Sequence, residues 1–119
     1  MWKAWIGAAC AAPLVFSPAQ TAAQVVKIVG LGAATCATFR EDISQKPDLE
    51  RVYFAWAQGY MNGLLIRAPD GQDENVDLTP RQFGLQAQLG FLRTFCLENP
   101  NANFSDGIHG LYQVLRTRR

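Results

Sequence analysis

The sequence predicts an all-α protein, a small four-helix bundle stapled by one disulfide between Cys36 and Cys96. Three observations lead there. Apolar residues recur at helical spacing in several segments separated by short, turn-rich links. No stretch alternates polar and apolar residues over a strand's length. The N-terminus has the layout of an export signal, and an exported chain with two remaining cysteines is expected to pair them.

The signal is expected over residues 1–23. Met1-Trp2-Lys3 brings one positive charge, Ala4 to Phe16 is an apolar run, and Ser17 to Ala23 ends in small residues, with Thr21 and Ala23 placed for cleavage after Ala23. The competing reading is a membrane anchor. Thirteen residues interrupted by Pro13 are short for a span, so no stable membrane insertion is expected after cleavage. The location this implies is periplasmic or secreted. Cys10 follows Gly7-Ala8-Ala9, a faint likeness to a lipoprotein cleavage site, but it leaves with the signal. Removing 23 of 119 residues leaves 96 and takes away Lys3, so ten basic residues face ten acidic ones. That balance gives no electrostatic case for nucleic acid or anionic lipid. The basic end, Arg116-Thr117-Arg118-Arg119, complements the C-terminal end of a helix.

Cys36 and Cys96 then form an even pair. Joined, they close a loop of about sixty residues, for which the chain-entropy account gives about 4 kcal/mol. Two buried free thiols are the alternative. Residues 24–34, apolar but broken by Gly30 and Gly32, read as an extended or loosely ordered lead-in to a helical domain over 35–119. The two glycines lack the third glycine and strand–helix setting of a nucleotide loop.

The first helix runs from Cys36 to Ile43 behind a Thr35 cap, with Cys36, Phe39 and Ile43 on its inner face. Pro47 suits the first position of the second helix, and Asp48 and Glu50 place negative charge where the helix dipole favours it. Val52 to Ile66 is apolar on nearly every side and is expected to run through the centre. Within it Ala55, Gly59 and Gly63 recur every four residues, while Trp56 and Tyr60 add bulk. The expected use of the small stripe is a tight helix crossing, offsetting the roughly 1 kcal/mol of propensity each glycine gives up. Self-association through that stripe is the alternative.

Pro69-Asp70-Gly71 is a turn. It opens the most polar segment, Arg67 to Leu78, in which Asp70, Asp73, Glu74 and Asp77 make a candidate partner loop. Their spacing does not match a calcium loop, so a solvated connector is expected and no metal site. Thr79-Pro80-Arg81-Gln82 has the residues of a capping box and starts the third helix, with Leu85, Leu89, Leu92 and Cys96 on its stripe and Pro100 beyond its end. The last helix begins near Asn103 or Ser105 and buries Ile108, Leu111, Tyr112 and Leu115.

Little in the chain points to catalysis. His109 is the single histidine, and Asp106 three residues earlier can share its helix face, but no third member of an acid–base set stands out. Phosphate loops, nucleophile elbows and metal-ligand clusters are absent from the sequence pattern, so no cofactor and no enzyme activity are expected. Ten aromatic residues beyond the expected signal, in so short a chain, point instead to uncovered apolar surface, a mark of protein contact.

Thr35-Cys36-x-x-Phe39 and Cys96-x5-Ala102-Asn103-Phe104-x-Asp106 resemble the two cysteine segments of the HdeA family of periplasmic acid-stress chaperones, and the order of helices is similar. The resemblance covers about Ala34 to Leu115. The longer polar loop and the fewer charges depart from that family. Trp56-x-x-Gly59-Tyr60-x-x-Gly63 looks more like other small exported two-cysteine proteins, among them the Rap/Tai immunity proteins that protect against type VI secretion toxins. The first resemblance implies an HdeA-like helical fold, dimeric when neutral, that loosens in acid and binds unfolded clients. The second implies a stable surface for one cognate toxin, with the loop Asp70 to Asp77 as its place.

Overall fold

A computed structural model describes residues 7–17 and 26–118. The start of the expected signal, with Lys3, and its expected cleavage point after Ala23 lie outside the described residues. Four α-helices make the fold: α1 (Cys36–Gln45), α2 (Leu49–Arg67), α3 (Leu85–Glu98) and α4 (Phe104–Arg116). Among the described residues there is no strand, only one isolated antiparallel bridge between Thr35 and Asn103. No helix among them is long and apolar enough to cross a membrane.

Local chemistry sets most boundaries. The Thr35 hydroxyl accepts a hydrogen bond from the Thr38 N–H at 3.1 Å and caps α1. Asn103 and Asp106 form the reciprocal capping box that starts α4. Pro47 lies in the turn ahead of α2 rather than at its first position, and α2 begins two residues later than expected. Gly71 takes φ +80° in the turn after α2, a conformation glycine adopts without steric cost.

The core has an aromatic cluster at one end. Phe39, Tyr53 and Phe104, from three helices, meet with ring centroids 4.7–5.0 Å apart in tilted and edge-on geometry. Met61, Leu89, Leu92, Ile108, Leu111 and Leu115 continue it. Every residue expected on the inner face of α4 is buried. Cys36 and Cys96 are joined, with Cα atoms 4.6 Å apart, tying α1 to α3. Beside that bond the backbone closes too. Cys36 N–H donates to Ala102 O at 2.7 Å, Ala37 N–H to Pro100 O at 3.0 Å, and Phe104 N–H to Ala34 O at 2.8 Å.

The later part of the lead-in is built into the fold, while Val26 and Val29 ahead of it are exposed. Gly30–Ala33 is a short 3-10 turn that packs on α2 and α4, and Gly32 lies flat against the Trp56 ring, where any Cβ would overlap the indole.

Two expectations are corrected. The stripe Ala55, Gly59, Gly63 is not a crossing. All three are exposed, and a Cβ at Gly59 or Gly63 would meet nothing within 4 Å. The competition between faces explains this: α2 buries Tyr53, Phe54, Ala57 and Met61 instead, and burying aromatic area at roughly 25 cal/mol per Å² outweighs what close approach of small residues gains. Val52 and Ile66 flank the stripe and are 51% and 80% exposed. The second correction is the start of α3. Thr79-Pro80-Arg81-Gln82 yields only the 3-10 turn Arg81–Phe83, and the α-helix starts after Gly84, one further step along the chain. Asp77 takes both the Thr79 N–H (2.8 Å) and hydroxyl (3.2 Å), so Thr79 is held outside the helix. Gln88, fully buried, donates from Nε2 to the Leu78 and Phe83 carbonyls at 3.0 Å each and fixes the break. The shift turns Leu85 outward.

Candidate functional site

Three side-chain arrangements stand out, and each depends on residues far apart in sequence. The first is centred on Asp73. This residue belongs to the loop expected to be a solvated connector, yet it is only 6% exposed. Its carboxylate accepts from the Tyr112 hydroxyl at 2.8 Å and from Arg116 Nε at 2.7 Å, so the loop is fastened to α4. Asp73 holds φ +58°, in the left-handed region that asparagine and aspartate tolerate better than bulkier residues. Val76 and Leu78, a few residues on, pack against the core. Arg118 stacks on Phe83 at 4.3 Å, so Arg116 and Arg118 are used in tertiary contacts beyond any interaction with the helix dipole. Asp70, Glu74 and Asp77 remain exposed as expected. Glu74 accepts from the Gly71 N–H at 3.2 Å, which stiffens the turn.

The second arrangement runs along the side of α2. Trp56 and Tyr60 are half-buried and stack with ring centroids 5.2 Å apart. The Tyr60 hydroxyl and His109 Nε2 share a hydrogen bond of 2.6 Å, linking α2 to α4. Burial, and after it the nearby Asp106 charge, raise the Tyr60 hydroxyl above the ordinary tyrosine range. Asp106 itself accepts from the Asn103 N–H at 2.9 Å in the capping box, so His109 takes a tyrosine as its partner. The Ala55, Gly59, Gly63 stripe borders this cluster but makes no part of it.

The third is an open cleft of about 440 Å³ between α1 and α3. Arg40, Ile43 and Ser44 line one side and Arg93, Thr94 and Leu97 the other. Arg93 Nη1 donates to both Glu50 carboxylate oxygens at 2.7 and 3.0 Å.

Sequence reasoning missed three of these features: the burial of Asp73, the Tyr60–His109 bond and the arginine-lined cleft. The partners are separated by 39 to 49 residues in the two hydrogen-bonded cases, and no local pattern announces such contacts. The positive φ of Asp73 is the one property its residue type permits, but Asp70 and Asp77 share that type. Among the described residues no group of three or more histidine, cysteine or acidic side chains is placed to hold a metal ion.

Fold and side chains together define a small all-α bundle stapled by one disulfide, with polar fasteners at its other end. No family model, no characterised protein and no solved structure matches the chain.

Proposed function

We propose that this is an exported, non-enzymatic protein-binding module that opens in acid to hold unfolded clients, in the manner of the HdeA chaperones it resembles. The observation that carries the reading is the Asp73 clasp. It is the buried carboxylate among the described residues, and it holds a loop whose Val76 and Leu78 cover part of the core. Protonating that carboxylate removes the charge that Arg116 pairs with. Protonating all ten acidic residues also leaves the basic ones unopposed, so self-repulsion works in the same direction. The disulfide is indifferent to acid and keeps α1 and α3 together while the loop lets go. Such a bond is also compatible with the oxidising compartment that an export signal implies.

Light scattering of an aggregating client tests this, with the mature protein present or absent at neutral and acidic pH. Suppression in acid alone, with dye binding to newly exposed apolar surface, is the expected result. Asp73→Ala should bring suppression closer to neutral pH. An intact fold in acid with no suppression at either pH defeats the chaperone reading.

A second reading is toxin immunity of the Rap/Tai kind. It is favoured by one detail: the clasp pins the loop at neutral pH while Asp70, Glu74 and Asp77 stay exposed on it, a fixed acidic surface suited to a dedicated basic partner. Capture of a single basic protein at neutral pH, lost when those three residues are neutralised, would support it.

A further inference from the structure

We propose that the cleft between α1 and α3 is a docking site for a peptide segment of a partner protein that presents a carboxylate beside a branched aliphatic side chain. The inference rests on the reading of the chain as a protein-binding module, but not on its response to acid.

The cleft combines two chemistries. Ile43, half-buried on the α1 side, and Leu97, 58% exposed on the α3 side, are the apolar part of the lining. Arg40 and Arg93 line the cleft too, one from each side, with Ser44 and Thr94. No carboxylate among the described residues lines the cleft. Arg40 forms no ion pair among the described residues, and Arg93 commits Nη1 to Glu50, leaving the remaining guanidinium N–H groups for another acceptor. A planar guanidinium fork suits a carboxylate because two parallel hydrogen bonds form at once. The positive lining therefore calls for an acidic partner, and the two apolar side chains call for a side chain on that partner next to the acid.

The shape selects a peptide over an acyl chain. The apolar lining consists of two side chains, enough for one leucine or isoleucine and too short for a lipid tail. The cleft is open, so a segment of a larger protein can reach it. At about 440 Å³ it lies within the range of ordinary ligand sites. The site is fixed in place because both walls are helices joined by the Cys36–Cys96 bond, so little ordering is needed on binding.

Glu50 gives the proposal a direction that can be checked. It competes with the partner for Arg93, so removing its charge should strengthen binding, whereas most surface substitutions can only weaken it.

Fluorescence anisotropy at neutral pH tests the site, using a short labelled peptide in which paired glutamates alternate with leucines, and the mature, oxidised protein. Binding in the micromolar range is expected. Arg40→Gln and Leu97→Ser should each weaken it by about fivefold, and Glu50→Gln should tighten it by about twofold. Matched peptides carrying glutamine for glutamate, or serine for leucine, should bind at least about fivefold more weakly. Circular dichroism confirms that each variant is folded, and Arg40 is chosen over Arg93 because it supports no ion pair. Equal binding of the glutamine peptide, no effect of Arg40→Gln, or displacement by inorganic phosphate or anionic vesicles as readily as by unlabelled peptide would each overturn the proposal. Because the assay is run on folded protein at neutral pH, its failure leaves the acid-chaperone reading intact. Failure of client suppression in acid likewise leaves this site standing.

Discussion

The two ends of the bundle are held by different kinds of bond. Around the start of α1 the fasteners are the Cys36–Cys96 disulfide and backbone hydrogen bonds from Cys36, Ala37 and Phe104. None of these groups gains or loses a proton in acid. Between the loop after α2 and the end of α4 the fastener is the Asp73 carboxylate with Tyr112 and Arg116. That fastener includes a charge. The difference is one of bond chemistry rather than of flexible sequence: the loop is tied down more tightly than its polar composition implies.

Breaking each fastener in turn measures the contrast. Cys36→Ser with Cys96→Ser has the largest expected effect, a loss of about 4 kcal/mol of unfolding free energy, because a loop of 60 residues regains its freedom in the unfolded chain. Urea titration of oxidised and reduced protein checks it. An equal midpoint for the two would show that backbone contacts alone hold that end. Asp73→Ala comes next. It strips a buried tyrosine hydroxyl and an arginine of their acceptor, and since Arg116 is one-third exposed the expected loss is about 2–3 kcal/mol, below that of a fully buried pair. Limited proteolysis should then cut within 68–80 while the disulfide-linked fragments stay together. Cleavage elsewhere, or none, would mean that the loop is secured by its apolar contacts.

Much of the fold was legible in the sequence because it rests on local chemistry. The Thr35 cap and the inner face of α4 follow from residue type and spacing within a few positions, and the structure bears both out. Of the two starts open for α4 it takes Asn103 as the cap, and the pairing of Cys36 with Cys96, expected from an even count of cysteines rather than from local spacing, is present. The failures share one cause. Where two local signals compete, the winner is decided by distant contacts. A tight stripe and an aromatic face lie on the same α2 helix, and only the packing of α1, α4 and the lead-in determines which is covered. Thr79-Pro80-Arg81-Gln82 has the residues for a capping box, but Asp77 takes the Thr79 N–H that the box needs, and Gln88 holds the Leu78 and Phe83 carbonyls ahead of the helix. Asp73 could not be distinguished from Asp70 without its partners on α4.

The glycines convert that point into a smaller measurement. If Gly59 and Gly63 face solvent, replacing each by alanine should stabilise the protein by up to about 1 kcal/mol, the helix propensity recovered. Gly107 sits oppositely: a Cβ there would lie 2.8 Å from Phe95 Cδ1. Gly107→Ala should therefore lose about 1 kcal/mol net, the crowding exceeding the propensity gain. Thermal unfolding of the three single variants decides it. Loss of stability at Gly59 or Gly63 would restore the crossing, with a second copy of the chain as its partner, and sedimentation would then show a dimer broken by the same substitutions.

The smallest effect is at alkaline pH, and it probes the aromatic end rather than the carboxylate one. Tyr53 is buried and donates from its hydroxyl to Asp42 Oδ2 at 2.6 Å. Burial first, then that hydrogen bond and the Asp42 charge, push its ionisation well above the ordinary tyrosine value of about 10. The folded protein thus keeps a proton that the unfolded chain releases. The stabilisation is fully present below about pH 10 and is lost as pH rises beyond it, by about 0.8 kcal/mol at roughly pH 10.5. Tyr53→Phe cannot ionise in either state. It should lie below wild type at neutral pH by the value of the hydrogen bond, about 1–2 kcal/mol, and approach it as the solution becomes alkaline. Parallel stability curves for the two proteins would mean that the Tyr53 hydroxyl opens to water before the fold gives way.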